Sequence, residues 1–412
     1  MELKSRYKNT EVGVIPEDWT LKAIGSIASV CAGGTPSRRV SEYWNGSIPW
    51  VTTTELNADT ISETTQCISE LGLKNSAAKL IDSGAILLAL YGQGKTRGKV
   101  ALLEIQATTN QACAAISVSS RVCPRFIFHN LASQYKAIRG LSNSGSQENL
   151  SGGIVKGILV ALPPTKAEQE AIAEVLSAAD ILIESLDQLL GKKRKLKQGV
   201  MQELLSYTRR LPGFTEEWQL RPLEKLADIR SGGTPSTTRP EFWDGDVLWC
   251  TPTDITGLNG VKYLTDTSRK ITELGLKSSS AGLIPPNSIV MTSRATIGEC
   301  AINRVAVSTN QGFKNFVPFE HVDVDFLYYL LTMQKQRFVG LCSGSTFLEI
   351  GKTQLRGYEV RIPAAKEEQT AIASVLSDMD TEIADLDAKL TKARQIKQGM
   401  MQELLTGRIR LV

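Results

Sequence analysis

The residues best suited to chemistry lie at Ala89–Thr96, which reads A-L-Y-G-Q-G-K-T. This run satisfies a relaxed phosphate-loop pattern, with a strand-like stretch in front of it. A nucleotide site would also need a helix after the lysine and an aspartate on a later strand for magnesium. Here Arg97-Gly98-Lys99-Val100-Ala101-Leu102 follows, which reads as a turn into another strand. The equivalent stretch one repeat later, Thr292-Ser293-Arg294-Ala295-Thr296-Ile297-Gly298, has no such motif. No nucleotide site is expected. Tyr91, Gln93, Lys95, Thr96 and Arg97, with Arg294 and Thr296 in the second stretch, instead suit exposed loops whose donors meet phosphates or base edges. The plain alternative is a solvated hairpin.

Other reactive groups are sparse. There are two histidines, His129 and His321, so a histidine-rich metal site is excluded. His129 aligns with Tyr329 in the second copy and reads as a helix residue, packed or half exposed; His321 sits in an acidic surface loop with Asp323 and Asp325. The seven cysteines include no C-x-x-C pair, which argues against a zinc ribbon and a disulfide framework and suits a reducing compartment. Gly33-Gly34-Thr35-Pro36 reads equally well as a tight turn or as a backbone-contacting loop with Thr35, Ser37 and Arg38 as its contacts. Its twin offers Thr234 and Ser236. Lys192-Lys193-Arg194-Lys195 is a basic cluster that reads as a solvated helix face or as a contact for nucleic acid or an acidic partner. There is no Asn/Asp-Pro-Pro-aromatic motif, no glycine-rich cofactor loop and no defensible nuclease constellation.

The elements that must position these loops form a repeat. The 412 residues are two copies of a unit of about 200. Gly33-Gly34-Thr35-Pro36-Ser37 returns as Gly232-Gly233-Thr234-Pro235-Ser236, Trp44 and Trp50 as Trp243 and Trp249, Leu71–Lys74 as Leu274–Lys277, Asn110-Gln111 as Asn310-Gln311, and Ser144–Ser146 as Ser343–Ser345. The last part of each copy is closely matched. Lys166–Ser177 agrees with Lys366–Ser377 at nine of twelve positions, and Lys197–Leu205 with Lys397–Leu405 at eight of nine. Residues 50–140 match their counterparts sparsely, so a framework is kept while something mounted on it varies.

The matched parts have the three-four spacing of a coiled coil. In the first, Ile172, Leu176, Ile183, Leu186 and Leu190 form the stripe; in the second, Ile372, Leu376, Ile383, Leu386 and Leu390. Each helix should run about 40 residues, roughly 60 Å at 1.5 Å per residue, and each stripe should bury itself against the other helix. The diverged parts show short apolar runs punctuated by Gly, Pro, Asn and Ser, with a helix near 124–140 matched by one near 325–340. The glycine-rich loop should lie between a helical segment and a Trp-bearing strand. The net charge of +4 neither demands nor excludes a polyanion. The N-terminus has no apolar stretch like a signal peptide, and no run reaches the roughly 18 apolar residues of a membrane helix.

Two diverged domains carry G-G-T-P-S…W, the N-Q pair and the S-G-S turn. They alternate with helices that open K-x-E-Q-x-A-I-A-x-V-L-S and close K-Q-G-x-M-Q-E-L-L. This pattern resembles the specificity subunit of a Type I restriction-modification enzyme over essentially the whole chain. The resemblance implies an α+β fold: two mixed α/β target-recognition domains, residues 1–162 and 207–362. They are joined by two spacer helices, 163–206 and 363–412, packed as an antiparallel coiled coil with pseudo-two-fold symmetry. It implies a non-catalytic cytoplasmic subunit that reads a bipartite, asymmetric site on double-stranded DNA. Two methyltransferase subunits and two ATP-driven restriction subunits would join it, and S-adenosylmethionine and ATP would bind those partners rather than this chain. A coiled-coil scaffold that never reads DNA is the competing reading.

Overall fold

The computed structural model describes residues 7–92, 95–141, 149–342 and 348–411. The Ser144–Ser146 and Ser343–Ser345 turns fall outside that range. The chain forms two compact units, Met1–Asp187 with Ala388–Val412, and Gln188–Asp387. The boundaries cut through both long helices, Lys166–Leu205 and Lys366–Leu404, so each unit contains a segment of each.

In the first unit a five-stranded sheet has the order Ala28–Ala32, Cys113–Val118, Ile86–Ala89, Val100–Leu103, Thr60–Ile61. Its pairs are antiparallel except the last, which is parallel. The central strands Ile86–Ala89 and Val100–Leu103 are apolar and buried at every position because both faces are covered. Alternate residues divide between two cores. Ile86, Leu88, Val100, Leu102, Ala114 and Ile116 face the core that holds Phe126 and Ile127, while Leu87, Ala89, Ala101, Leu103, Cys113 and Ala115 pack with Val51, Leu56 and Ile61. A three-stranded sheet, ordered Thr108–Thr109, Trp44–Val51, Cys67–Ile68, stands beside it. The second unit repeats this plan. Its sheet runs Ala227–Ser231, Phe313–Pro318, Ser288–Thr292, Cys300–Asn303, Tyr263–Leu264, and its smaller sheet Arg269–Ile271, Trp243–Cys250, Ser308–Thr309. The helices expected near 124–140 and 325–340 are each broken in two, at Gln134 and Gln334.

The close match between the long helices has a packing cause. At the start of each, Gln169 accepts a hydrogen bond from the Cys123 amide at 2.9 Å and donates to the Pro163 carbonyl; Gln369 does the same with Asp323 (2.9 Å) and Pro363. Ile172, Ala173 and Leu176 then enter the core of the first unit, and Ile372, Ala373 and Leu376 that of the second. Leu404 and Leu405 complete the first core, and Leu204 and Leu205 the second. Each stripe therefore buries into a sheet-domain core at the helix ends, and not against a helix along its whole length. Between the ends, Ile183, Leu186, Ile383 and Leu386 are half-buried, and Leu190 and Leu390 are buried.

Within each unit the two helix segments run side by side in opposite directions, as the ion pairs show. In the second unit Lys193 meets Glu382 at 2.7 Å, Arg194 meets Asp387 at 3.0 Å, and Lys197 pairs with Asp380. In the first, Arg394 meets Asp187 at 3.1 Å and Lys397 pairs with Asp180. Two members of the basic cluster are thus already engaged with acids.

His129 is 1% exposed, with Nε2 3.2 Å from Ser177 Oγ. Burial, reinforced by the charges of Lys397 and Arg125, pushes it down to about 3. The folded state holds the imidazole neutral, whereas the unfolded chain protonates it near 6.5. Its contribution is therefore intact above pH 6.5 and is lost as the pH falls from there toward 3. His129→Tyr, the residue of the second copy, should flatten the acid limb of stability in that window. Urea midpoints at pH 7 and pH 4.5 check this; an unchanged difference between the two would refute it.

Candidate nucleic-acid interface

In each unit one end of the five-stranded sheet gathers the loops that the sequence singled out. Strands Ala28–Ala32 and Ile86–Ala89 end there, and the antiparallel strand Cys113–Val118 between them begins there. The glycine-rich loop, the loop after Ala89 and the Asn110–Ala112 turn are thus neighbours. Thr35 Oγ1 donates to Gln111 Oε1, and Thr234 Oγ1 donates to Gln311 Oε1. Leu90 N donates to the Ala112 carbonyl at 2.8 Å, and Ser293 N to that of Gly312 at 2.7 Å. The glycine-rich loop follows a strand, and not the helical segment the sequence suggested.

The paired glycines are dictated by close approach, not by turn geometry. A Cβ on Gly33 would overlap the Thr109 carbonyl oxygen, and one on Gly34 would overlap the Ala77–Ala78 backbone; Gly232 and Gly233 are hemmed in the same way by Asn310 and by Ser280–Ala281. Gly33→Ala should cost about 1–3 kcal/mol through forced displacement of that backbone. A thermal midpoint equal to wild type would contradict this.

Two tryptophans brace the loop from behind. Trp50 Nε1 donates to the Gly34 carbonyl at 3.0 Å and Trp44 Nε1 to that of Ser37 at 3.1 Å; Trp249 and Trp243 make the same bonds, both at 3.0 Å, to Gly233 and Ser236. The rings meet edge to face, 5.0 Å apart in the first unit and 4.9 Å in the second. Thr35, Ser37 and Arg38 are exposed on this frame, Ser236 is exposed and Thr234 is half-buried.

The second loop differs between the units. In the first, Tyr91 and Lys95 are exposed and Thr96 is half-buried; Arg97 is buried, and Gln93 lies outside the described residues. Tyr135 donates to the Lys95 carbonyl at 2.6 Å, and Arg139 donates to that of Arg97 at 3.1 Å. The strand Val100–Leu103 follows directly, so the helix required by a phosphate loop is absent here. In the second unit Arg294 is exposed and Thr296 half-buried. Arg294 Nε meets Glu349 at 2.8 Å, and the buried Lys314 reaches the same carboxylate at 3.3 Å. Burial pushes the Glu349 carboxyl up, but the hydrogen bonds and charges of Arg294 and Lys314 prevail and hold it below its ordinary value. Arg294 is therefore a paired cation.

Sequence reading missed Gln66, Arg269, Lys314 and Glu349. None occupies a position shared in type by the two copies. Gln111 and Gln311 were visible as a recurring pair but had no role until the fold placed them under the glycine-rich loop. Among the described residues, no cluster of histidine, cysteine and acids could hold a metal ion.

The family described as "Type I restriction modification DNA specificity domain" matches residues 16–192 and again 215–396. The chain belongs to this family. A match of that extent, twice in one chain, also locates both copies of the repeat within it. Among specificity-family relatives, the chain is 35% identical over 191 residues to the Type I restriction enzyme MjaIX specificity subunit of Methanocaldococcus jannaschii, a stretch that spans 46% of this chain and 43% of that one. It is 24% identical to the MjaVIII specificity subunit of the same organism over 96% of this chain and 94% of the relative. The solved S subunit of the Type I restriction-modification system from M. genitalium shares the fold, with a TM-score of 0.63 over 98% of this chain and 99% of that one at 16% identity.

Proposed function

We propose that the chain is the non-catalytic, DNA-reading subunit of a Type I restriction-modification assembly. Each unit would read one half of a bipartite, asymmetric target on double-stranded DNA. One observation carries this: membership of a DNA specificity family, combined with two sheet ends that share a frame and differ in the side chains mounted on it. A shared frame with different readers is what two unlike half-sites require, since contacts to base edges specify while backbone contacts position. The long helices act as an antiparallel coiled-coil spacer to which two methyltransferase subunits dock, and two restriction subunits join them. S-adenosylmethionine and ATP belong to those partners. Among the described residues no helix is long and apolar enough to cross a membrane, and the site of action is the cytoplasm, where the DNA lies.

Sequencing the methylated bases of cells that carry this chain with its modification subunit tests the reading. A split, asymmetric motif that disappears without the chain supports it. Methylation indifferent to the chain favours a scaffold that does not read DNA. Loop variants give a finer test. Lys95→Ala and Arg294→Ala should each weaken binding of the assembled methyltransferase to its target by about 1–3 kcal/mol. Unchanged affinity and specificity in both would remove these loops from the reading surface.

A further inference from the structure

The tryptophan pair carries one more group in each unit, and the two units supply it from different places. In the first, the Arg38 guanidinium lies over Trp44 at 3.6 Å from the ring centre and 5.2 Å from Trp50. In the second, Arg269 lies over Trp243 at 3.9 Å and 5.3 Å from Trp249. These arginines are not equivalent in sequence. Arg38 follows the glycine-rich loop, where the second copy has Thr237. Arg269 stands opposite Trp249 in the small sheet, where the first copy has Gln66, whose carbonyl accepts from the Trp50 amide. The copies have exchanged the position of the arginine and kept its place over the rings.

Both arginines are exposed, and neither has a carboxylate partner among the described residues. Arg294 is already neutralised by Glu349. A guanidinium stacked on an indole keeps its N–H edges in a plane parallel to the ring, facing outward, with little rotamer freedom left to lose. Gln66 Oε1 accepts from Nη2 of Arg38 at 2.7 Å, which fixes that plane further. Beside it lies a surface hollow of about 480 Å³ bordered by Arg38, Trp44, Thr65 and Gln66. Two domains with different base readers would share a contact only if it ignores base identity, and the backbone phosphate is that contact.

We propose that this stacked guanidinium is the phosphate anchor of each recognition domain: Arg38 in the first unit and Arg269 in the second. The proposal rests on the DNA-reading function above. The test uses the full chain assembled with its modification subunits and two duplexes, one with the methylated motif and one of equal length without it. Arg38→Ala and Arg269→Ala should each lower the slope of log affinity against log salt by about 0.9, the contribution of one phosphate. Affinity for the two duplexes should fall by the same factor, with thermal stability unchanged. The double variant Arg38→Thr with Gln66→Arg, which copies the second unit's arrangement into the first, should restore the slope. If the wild-type assembly binds its motif with a steep salt dependence and both alanine variants keep that slope, the arginines are lids on the tryptophans and the proposal is overturned. A variant that loses subunit assembly while the slope persists would overturn it in favour of an acidic protein partner. If the wild-type assembly has no preference for its motif, the DNA-reading function itself fails, and the anchor falls with it.

Discussion

Replacing residues 10–160 with the matching domain of a family member that has a different target should change one half of the methylated motif completely and leave the other half intact. The fold makes this expectation sharp. The sheet end that carries Arg38, Tyr91 and Lys95 rests on a core built from its own unit, and the second unit has separate cores of its own. The exchanged segment meets the helices through groups that both copies hold in common: Gln169 on the Cys123 amide, and Ile172, Ala173 and Leu176 in the core. A foreign domain bearing the same frame can use the same seat. Base sequencing of methylated DNA reads the outcome directly. A motif altered in both halves would show that the two readers are not independent, and a motif altered in neither would place recognition elsewhere.

The second large effect is on stability. Glu168 and Glu368 are each 1% exposed at the start of a long helix. Arg410 grips Glu168 in the first unit and also reaches Asp18 at 3.1 Å; Arg210 grips Glu368 in the second, at 3.1 and 2.7 Å, where Trp218 donates to the same carboxylate. Removing the arginine leaves a carboxylate buried without its counter-charge, which is far more costly than losing a surface pair. Both arginines reach solvent on one side, so water softens the loss. Arg410→Ala should still lower the melting temperature of the chain by on the order of 5 °C or more. Arg410→Lys should recover only part of this, because a lysine cannot make the two-pronged contact. A melting temperature within 1 °C of wild type for Arg410→Ala, about the shift of a negligible surface change, would show that the carboxylate finds water instead.

How much of this could be read from the chain alone depends on the kind of signal. The repeat, the mixed domains and the 40- and 39-residue helices were plain, because identical packing seats demand identical residues. The K-x-E-Q and M-Q-E-L-L runs recur because Gln169, Glu168, Leu204 and Leu205 each fill the same seat as their twins. Periodicity could not show that the helix ends bury into domain cores, since a heptad stripe looks the same against a helix or a sheet. The glycine pair was ambiguous because its reason, the Thr109 and Asn310 carbonyls pressing on it, is remote in sequence. The Arg38–Arg269 exchange was invisible for a deeper cause. A side chain's position over a ring is conserved there, while the residue that supplies it is not.

The first unit is closed by residues 388–412, and the second is contiguous. During synthesis the second unit can therefore complete its core first. The first must wait, with the seats of Leu404, Leu405 and Arg410 open, while about 200 further residues emerge, a delay of about 10–40 s at 5–20 residues per second. For that interval the nascent chain offers an apolar cleft to proteases and chaperones, and a release before residues 388–412 are made would strand it there.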